Sequence, residues 1–316
     1  MDIKLVAFES LGVRSQASFI QTKNANIFID PSAALAPRRF GLPPHIIEVK
    51  RLFNIFDRIE ELIRDSDILI YTHYHYDHHD PGRFIDAKLY EGKVIYVKDP
   101  NHYINTSQKI RASKFLRILK EKAEAVHIAD RHSVSIDNLV IRFSDPVPHG
   151  EGNRLGYVVA VCIDDADDTL LYTSDIEGGP TEDHKVLLSF CNARVAIVDG
   201  PPTYLLGYKY SEESLRLSIS FLNRLLELES LEVLVLDHHL CRELNYMEKF
   251  SHLLEKARNL GKQLKTAAEA MGLSPLFLEA KRKELYKERV ENGLKLLMSR
   301  YKGFEGGELR EVFGEE

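Results

Sequence analysis

The segment Thr72-His73-Tyr74-His75-Tyr76-Asp77-His78-His79-Asp80 directly follows the apolar run Ile68-Leu69-Ile70-Tyr71, which predicts a short buried strand. It places four imidazoles and two carboxylates within eight residues. Packing alone does not explain such a cluster, because crowded polar groups without a counter-ion compete for the same partners. Side chains two residues apart in an extended segment lie on one side, so His73 and His75 can bind one metal ion. A helix beginning just after Tyr76 would direct Asp77 and His78 toward a second ion.

The composition predicts a compact folded chain. Of 316 residues, 44% are hydrophobic and 28% are charged, which is ordinary for a globular protein. The 42 basic and 48 acidic residues give a net charge of 42 − 48 = −6. This balance argues against a broad nucleic-acid-binding surface, although a local basic patch stays possible. The 13 histidines are the unusual feature.

The cysteines and the apolar runs bear on the compartment. Cys162, Cys191 and Cys241 lie far apart and form no CxxC pair, which argues against a disulfide scaffold and a cysteine-rich zinc ribbon. We find no secretory signal and no apolar run of about 18 residues, the length that a membrane helix needs. The expectation is a cytoplasmic protein in a reducing compartment, without a membrane partner.

Strand and helix patterns alternate along the first 240 residues, and only helix patterns follow. The strand patterns cover 3–8, 18–20, 26–30, 67–72, 93–98, 125–129, 139–144, 156–163, 169–174, 194–199 and 232–237. The helix patterns cover 46–64, 106–122, 211–229, 244–260 and 275–303. The sequence therefore predicts an α/β fold, with a catalytic core over 1–240 and a helical C-terminal extension over 241–316 that packs on it.

Three further histidine or aspartate residues follow predicted strands one at a time. His149 comes after the strand at 139–144, Asp175 ends the run Leu170-Leu171-Tyr172-Thr173-Ser174, and His238 follows Leu234-Val235-Leu236-Asp237. Together with the 73–78 segment, this pattern resembles the HxHxDH signature and the later single ligands of the metallo-β-lactamase superfamily. Ile27-Phe28-Ile29-Asp30-Pro31 resembles the first motif of that superfamily, whose Asp supports the site.

The resemblance implies a four-layer αβ/βα sandwich with two adjacent divalent cations. It implies a first ion held by His73, His75 and His149, a second held by Asp77, His78 and His238, and Asp175 bridging both. Zinc is the expected ion, and iron or manganese also suits these ligands. Carboxylates such as Asp30 or Asp237 would fix histidine tautomers.

The implied function is a metal-dependent hydrolase. Hydroxide held between two cations would attack an ester, lactone or phosphodiester bond of a small-molecule or phosphodiester substrate. An iron-dependent oxidoreductase on the same ligands is one alternative. A non-catalytic RNA-binding module that uses the basic residues between 281 and 302 is another, and nucleic-acid binding and oligomer formation are left open.

Several assignments remain open within this scheme. His238 is favoured over His239 as the last ligand, because the resemblance implies a ligand at the residue directly after the strand. Asp77 and His239 are the candidate catalytic residues, and His79 or His239 would orient ligands or give a proton to the leaving group. Arg14 or Arg38 would meet an anionic substrate group. The turn at 199–204 would form a wall of the pocket.

Overall fold

The structure is a computed structural model that describes residues 1–166 and 168–301. The strands are β1 (Asp2–Phe8), β2 (Gln16–Gln21), β3 (Asn26–Ile29), β4 (Ile68–Tyr71), β5 (Val94–Val97), β6 (Ala125–Ile128), β7 (Ser133–Ile136), β8 (Leu139–Phe143), β9 (Val147–Pro148), β10 (Tyr157–Val158), β11 (Val161–Asp165), β12 (Thr169–Tyr172), β13 (Val195–Asp199), β14 (Val233–Asp237) and β15 (Gln263–Lys265). The helices are α1 (Ile46–Asp65), α2 (Thr106–Lys122), α3 (Leu187–Phe190), α4 (Glu212–Leu226), α5 (Tyr246–Lys249), α6 (Ser251–Asn259), α7 (Ala267–Ala270), α8 (Arg282–Glu288) and α9 (Leu294–Arg300).

Two sheets form the centre of the molecule. The first has the order β1-β2-β3-β4-β5-β6, and the second has the order β15-β14-β13-β12-β11-β8-β7. Strands β3 to β6 run parallel, as do β12 to β15. The carboxyl ends of parallel strands meet at one edge of a sheet, and side chains from successive strands therefore gather there.

Three apolar clusters hold the layers together. Residues of both sheets, among them Phe8, Ile29 and Tyr172, form the cluster between the sheets. The outer face of the first sheet packs on α1, α2 and α9, and the outer face of the second packs on α3, α4 and α6. The order helix, sheet, sheet, helix confirms the four-layer α/β sandwich that the sequence predicted.

Helix α1 shows how the sequence sets a boundary. His45 caps it by accepting a hydrogen bond at Nδ1 from the Ile47 N–H, while the Glu48 side chain accepts one from the His45 N–H. Glu48 is buried and also binds Arg282 in an ion pair of 2.8 Å. Arg282 is therefore a buried structural residue, and the basic surface expected around it is smaller than the sequence indicated.

The C-terminal third differs from the predicted pair of long helices. The predicted helix over 275–303 is interrupted between α8 and α9. There the Gly293 N–H donates to Pro44 O at 2.8 Å, and Asn292 pairs with His45 in an isolated β-bridge. A Cβ at Gly293 would lie 2.5 Å from Val49 Cγ2, so only glycine permits this approach. The end of that predicted helix, including Lys302, lies outside the described residues.

Other secondary-structure predictions were also wrong in detail. The region 244–260 forms the two short helices α5 and α6, and the predicted strand 156–163 divides into β10 and β11. Sequence analysis missed β7 and β15, and β15 pairs with β14 in the second sheet. The division into a core and an extension after residue 240 stays a prediction.

A disulfide bond joins Cys162 in β11 to Cys191, although 29 positions separate them. The fold brings them together because Cys162 pairs with Leu171 of β12, and Cys191 Sγ contacts Leu170 O of the same strand. Spacing alone gave no sign of this pairing. Because disulfides are rare in reducing compartments, this bond does not support the expected cytoplasmic location, which stays a prediction.

Within the described residues, no helix combines the length and the apolar character that crossing a bilayer requires.

Candidate metal centre

The candidate ligands lie where strands end. His73 follows β4, His149 follows β9, Asp175 follows β12 and His238 follows β14. The expected helix after Tyr76 is instead a single turn, in which the N–H groups of His78 and His79 both donate to His75 O at 3.0 Å. This turn still directs Asp77 and His78 toward the same region as His73.

Asp175 is the centre of the cluster. Its Oδ2 lies 3.6 Å from His73 Nε2, 3.3 Å from His149 Nε2 and 3.2 Å from His238 Nε2. Its Oδ1 lies 3.0 Å from His78 Nε2. One buried carboxylate therefore faces four imidazoles from three separate segments of the chain.

The donor atoms divide into two groups that share Asp175, each with all atoms within 4.8 Å of one another. The first group is His73, His75, His149 and Asp175. The second group is Asp77, His78, His238 and Asp175. These are the two sets that the sequence predicted, and their role as ligands stays a prediction.

Buried ring nitrogens without hydrogen bonds show that the donor set fits cations. His73 Nε2, His78 Nε2 and His149 Nε2 are buried, and none of them has a hydrogen-bond partner among the described residues. Leaving such atoms unsatisfied costs free energy. All three face Asp175, so divalent cations beside that carboxylate would satisfy them.

Buried carboxylates stand behind the histidines of the second group. His78 Nδ1 binds Asp30 Oδ2 at 2.8 Å, and His238 Nδ1 binds Glu9 Oε2 at 2.7 Å. The pKa of His78 rises to about 10, because the carboxylates of Asp175 and Asp30 outweigh the opposing effect of burial. The expected role of Asp30 in orienting a histidine is confirmed.

Asp237 does not have that role. Its carboxylate accepts hydrogen bonds from the backbone N–H groups of Ser10, His238 and Ala267. It therefore fixes the backbone around the cluster rather than an imidazole.

Weaker partners stand behind the first group. His73 Nδ1 lies 3.2 Å from Thr72 Oγ1 and 3.3 Å from Ser174 Oγ, and His75 Nε2 lies 3.5 Å from Gln108 Nε2. Burial lowers the pKa of His73 and of His75 well below the usual histidine value. These imidazoles are neutral, the form that binds a metal ion.

Glu177 lies behind His149, with its Oε1 3.7 Å from His149 Nδ1. Burial, the largest influence, raises the pKa of Glu177 to about 7. A Cβ at the intervening Gly150 would lie 2.2 Å from Glu177 Oε2, so the approach of Glu177 requires glycine there.

Backbone strain gathers around the cluster. Asp30, Ser174 and His238 have φ values of 48°, 59° and 59°, a left-handed conformation that side chains disfavour. Such residues persist only where the surroundings hold them, and they concentrate at functional sites.

The two adjacent histidines 238 and 239 have different positions. His238 is fully buried and faces Asp175, whereas the His239 Nδ1 binds Asp199 Oδ1 at 2.9 Å and its ring lines a cavity. His79 lies elsewhere: its Nδ1 binds His75 O at 2.9 Å and its ring packs on Phe115.

A cavity of about 800 Å³ opens beside the cluster. His75, Asp77, His149, Asp175 and His239 line its floor. Tyr204 and Leu205 line it from the turn after β13, as the sequence predicted for residues 199–204. Its size suits a small organic ligand. Arg14 also lines it, whereas Arg38 is not among its lining residues.

Sequence comparison places the chain in a family. It is 44% identical over 309 residues to a UPF0282 protein of Saccharolobus islandicus, covering 96% of this chain and 100% of the relative. It is 47% identical over 287 residues to a UPF0282 protein of Metallosphaera sedula, covering 90% and 93%. The chain belongs to the UPF0282 family. No protein-family model matches it.

Solved structures share the fold of this UPF0282 chain. Unliganded yeast PDE1 aligns with a TM-score of 0.51 at 15% identity, over 84% of this chain and 96% of the other. Isothiocyanate hydrolase from Delia radicum gut bacteria aligns with a TM-score of 0.50 at 15% identity, over 81% and 94%. The metallo-β-lactamase fold protein YhfI from Bacillus subtilis aligns with a TM-score of 0.48 at 15% identity, over 87% and 97%. The fold of the UPF0282 chain is of the metallo-β-lactamase type.

Sequence reasoning missed several residues of the site. Glu9 and Asp199 hold His238 and His239, and Gln16 donates from Nε2 to Asp175 Oδ1 at 2.7 Å. Arg242 binds Glu9 Oε1 at 2.8 Å and lies 3.8 Å from Asp77 Oδ2. Asp199 had a signal, since it ends a buried strand and begins the turn at 199–204 that was expected to form a wall of the pocket.

Proposed function

We propose that this protein is a metal-dependent hydrolase with a dinuclear centre, acting on an ester, lactone or phosphodiester bond. The observation that carries the proposal is Asp175, one buried carboxylate within 3.6 Å of four imidazoles at the floor of a cavity. His73, His75 and His149 would hold one cation, Asp77, His78 and His238 the other, and Asp175 both. Two bound divalent cations would lower the pKa of water and stabilise negative charge on the substrate.

The chain's own residues would orient that chemistry. Asp30 and Glu9 fix the tautomers of His78 and His238 by binding Nδ1, which leaves each Nε2 facing Asp175. Gln16 holds Asp175 by its Oδ1. Asp77 lies at the cavity surface, where the positive charges of His78 and His238, against the opposing effect of burial, bring its pKa to about 2. A carboxyl group with so low a pKa is ionised near neutral pH, the form that binds a metal ion.

His239 would act as the general base and general acid of the reaction. Asp199 holds its Nδ1, which leaves Nε2 for the cavity. Burial, reinforced by the charge of Arg242, lowers the pKa of His239 well below its usual value, so the ring is neutral before reaction. Its Nε2 would accept a proton from the attacking water, while Asp199 at Nδ1 would stabilise the imidazolium that forms, and the same proton would then pass to the leaving group.

The first test is metal analysis of purified protein, followed by a screen on bis(p-nitrophenyl) phosphate, lactones and thioesters. We expect two equivalents of metal and turnover of one class of ester. His75→Ala should lose metal and activity, whereas His127→Ala, a matched change at an exposed histidine on β6, should retain both. Protein that holds no metal under any condition would contradict the proposal, and oxygen consumption by an iron-loaded form would favour the oxidoreductase instead.

A second test separates the adjacent histidines. His238→Ala should lose one metal ion. His239→Ala should keep both ions and lose about 10²- to 10⁴-fold in kcat, the usual contribution of a general acid–base group. Loss of metal from His239→Ala would instead make His239 a ligand.

A further inference from the structure

Four guanidinium groups line the cavity, on Arg14, Arg111, Arg154 and Arg242. Two of them already have anionic partners. Arg14 donates two hydrogen bonds to buried Glu279, at 2.7 and 2.9 Å, and Arg242 donates one to buried Glu9 at 2.8 Å. Their charges are therefore largely neutralised within the fold, including that of Arg14, which sequence analysis proposed for an anionic substrate.

Arg111 is different. It lies on α2, is partly buried, and has no carboxylate of the described residues within ion-pair distance, although the charge of Asp77 acts on it from further away. Its guanidinium carbon lies 4.7 Å from the centre of the Tyr76 ring, and the residue lines the cavity together with His75 and Asp77. Arg154 is exposed, so water solvates its charge.

The surroundings of Arg111 disfavour its positive charge. Burial lowers the pKa of Arg111, which means that the site has withdrawn water from the charge without supplying a full counter-ion. Asp77 is near enough to attract it but is beyond ion-pair distance, and Asp77 also serves the second donor group. A charge withdrawn from water is normally paired.

We propose that Arg111 binds an oxyanion of the substrate, a phosphoryl or carboxylate group, while the scissile bond lies over the metal centre. This proposal rests on the proposed function and names its substrate class: an anionic ester. The planar guanidinium offers two parallel N–H donors that match both groups, and the Tyr76 ring keeps its plane in place.

The alternative is that Arg111 only packs against the Tyr76 ring, whose centre also lies 3.4 Å from the guanidinium carbon of Arg83. The two roles predict different effects of replacing Arg111 by Lys or by Met. Binding of an anion requires the positive charge and is stronger with the paired N–H donors of the guanidinium. Packing on the ring requires only the side-chain carbons.

The test is equilibrium binding of phenyl phosphate, benzoate and neutral benzyl alcohol to zinc-loaded and chelator-treated protein. Arg111→Met should weaken binding of the preferred anion by about 10- to 100-fold, the usual loss for a hydrogen bond to a charged group. Arg111→Lys should lose less, and benzyl alcohol should bind all forms alike. Arg117→Met, the same change at an exposed position of α2, should match the wild type.

The anion that the wild type binds more tightly, and that loses more in Arg111→Met, identifies the phosphoryl or the carboxylate class. Equal binding of both anions by wild type and Arg111→Met would overturn the proposal, as would a wild type that binds neither. If Arg111→Met does not fold, Arg111→Lys is compared with the wild type: weaker binding of the anion supports the proposal, and unchanged binding overturns it. Because binding is measured without turnover, it tests the role of Arg111 even if none of the screened substrates is hydrolysed.

Discussion

The two histidine groups that share Asp175 differ in what lies behind them. Behind the second group, buried carboxylates hold the far nitrogens of His78 and His238 at 2.8 and 2.7 Å. Behind the first group, hydroxyl groups of Thr72 and Ser174 lie 3.2 and 3.3 Å from His73 Nδ1. The same residue type is thus placed in two electrostatic environments only a few ångströms apart.

The pKa shifts report this difference. Burial lowers the pKa of His73 and His75, whereas the carboxylates raise that of His78 and His238 despite burial. Arg242, which contacts both Glu9 and Asp77, offsets only part of the negative charge. A negative potential that favours imidazolium also attracts a divalent cation, so the two groups should respond differently to loss of their supporting residues.

Removing the shared residue should have the largest effect. Asp175→Ala deletes the carboxylate common to both groups, so we expect loss of both metal ions and at least about a 10³-fold fall in turnover. Metal content and kcat measure this. Asp175→Asn keeps the shape and should lose the ions as well, while exposed Asp183→Ala should behave as wild type. Retention of one ion by Asp175→Ala would mean that the groups are independent.

Removing a supporting carboxylate should affect one group. Glu9→Gln deprives His238 of its anionic partner, and we expect metal affinity to fall about 10- to 100-fold at the second group alone. After dialysis against a weak chelator, the variant should keep one ion where the wild type keeps two. Glu182→Gln, at an exposed glutamate, is the control. An equal loss of metal affinity at both groups would show that the carboxylate behind His238 does not distinguish the second group from the first.

Removing a supporting hydroxyl should have the smallest effect. Ser174→Ala deletes a contact of 3.3 Å to His73, which is long for a hydrogen bond, and the ring keeps its contact with Thr72. Metal affinity at the first group should fall by less than about 10-fold, the usual worth of one neutral hydrogen bond. Exposed Ser189→Ala is the matched control. A loss as large as that in Glu9→Gln would show that hydroxyl and carboxylate partners support the groups equally.

The fold class and the cluster were predictable because their signals are local. The run 68–71 is uniformly apolar and forms buried β4, and the polar cluster follows it within a few residues. His149, Asp175 and His238 were found through the resemblance to the metallo-β-lactamase superfamily, which places single ligands after successive strands. The helix expected after Tyr76 and the long helix over 275–303 were wrong, because contacts with distant residues replaced the local pattern.

By itself, the sequence determined the α/β class and the local cluster of imidazoles and carboxylates at 73–80, since both depend on patterns a few residues long, and the resemblance to a known superfamily added the four layers. Only the tertiary structure decided which partner each of them has. Glu9 meets His238 across 229 positions, and Gln16 meets Asp175 across 159. Cys162 likewise meets Cys191, and Arg111 lines the cavity with no ion-pair partner in the part of the chain that the structure describes. Orientation, burial and charge balance arise where distant segments pack, so no local pattern encodes them.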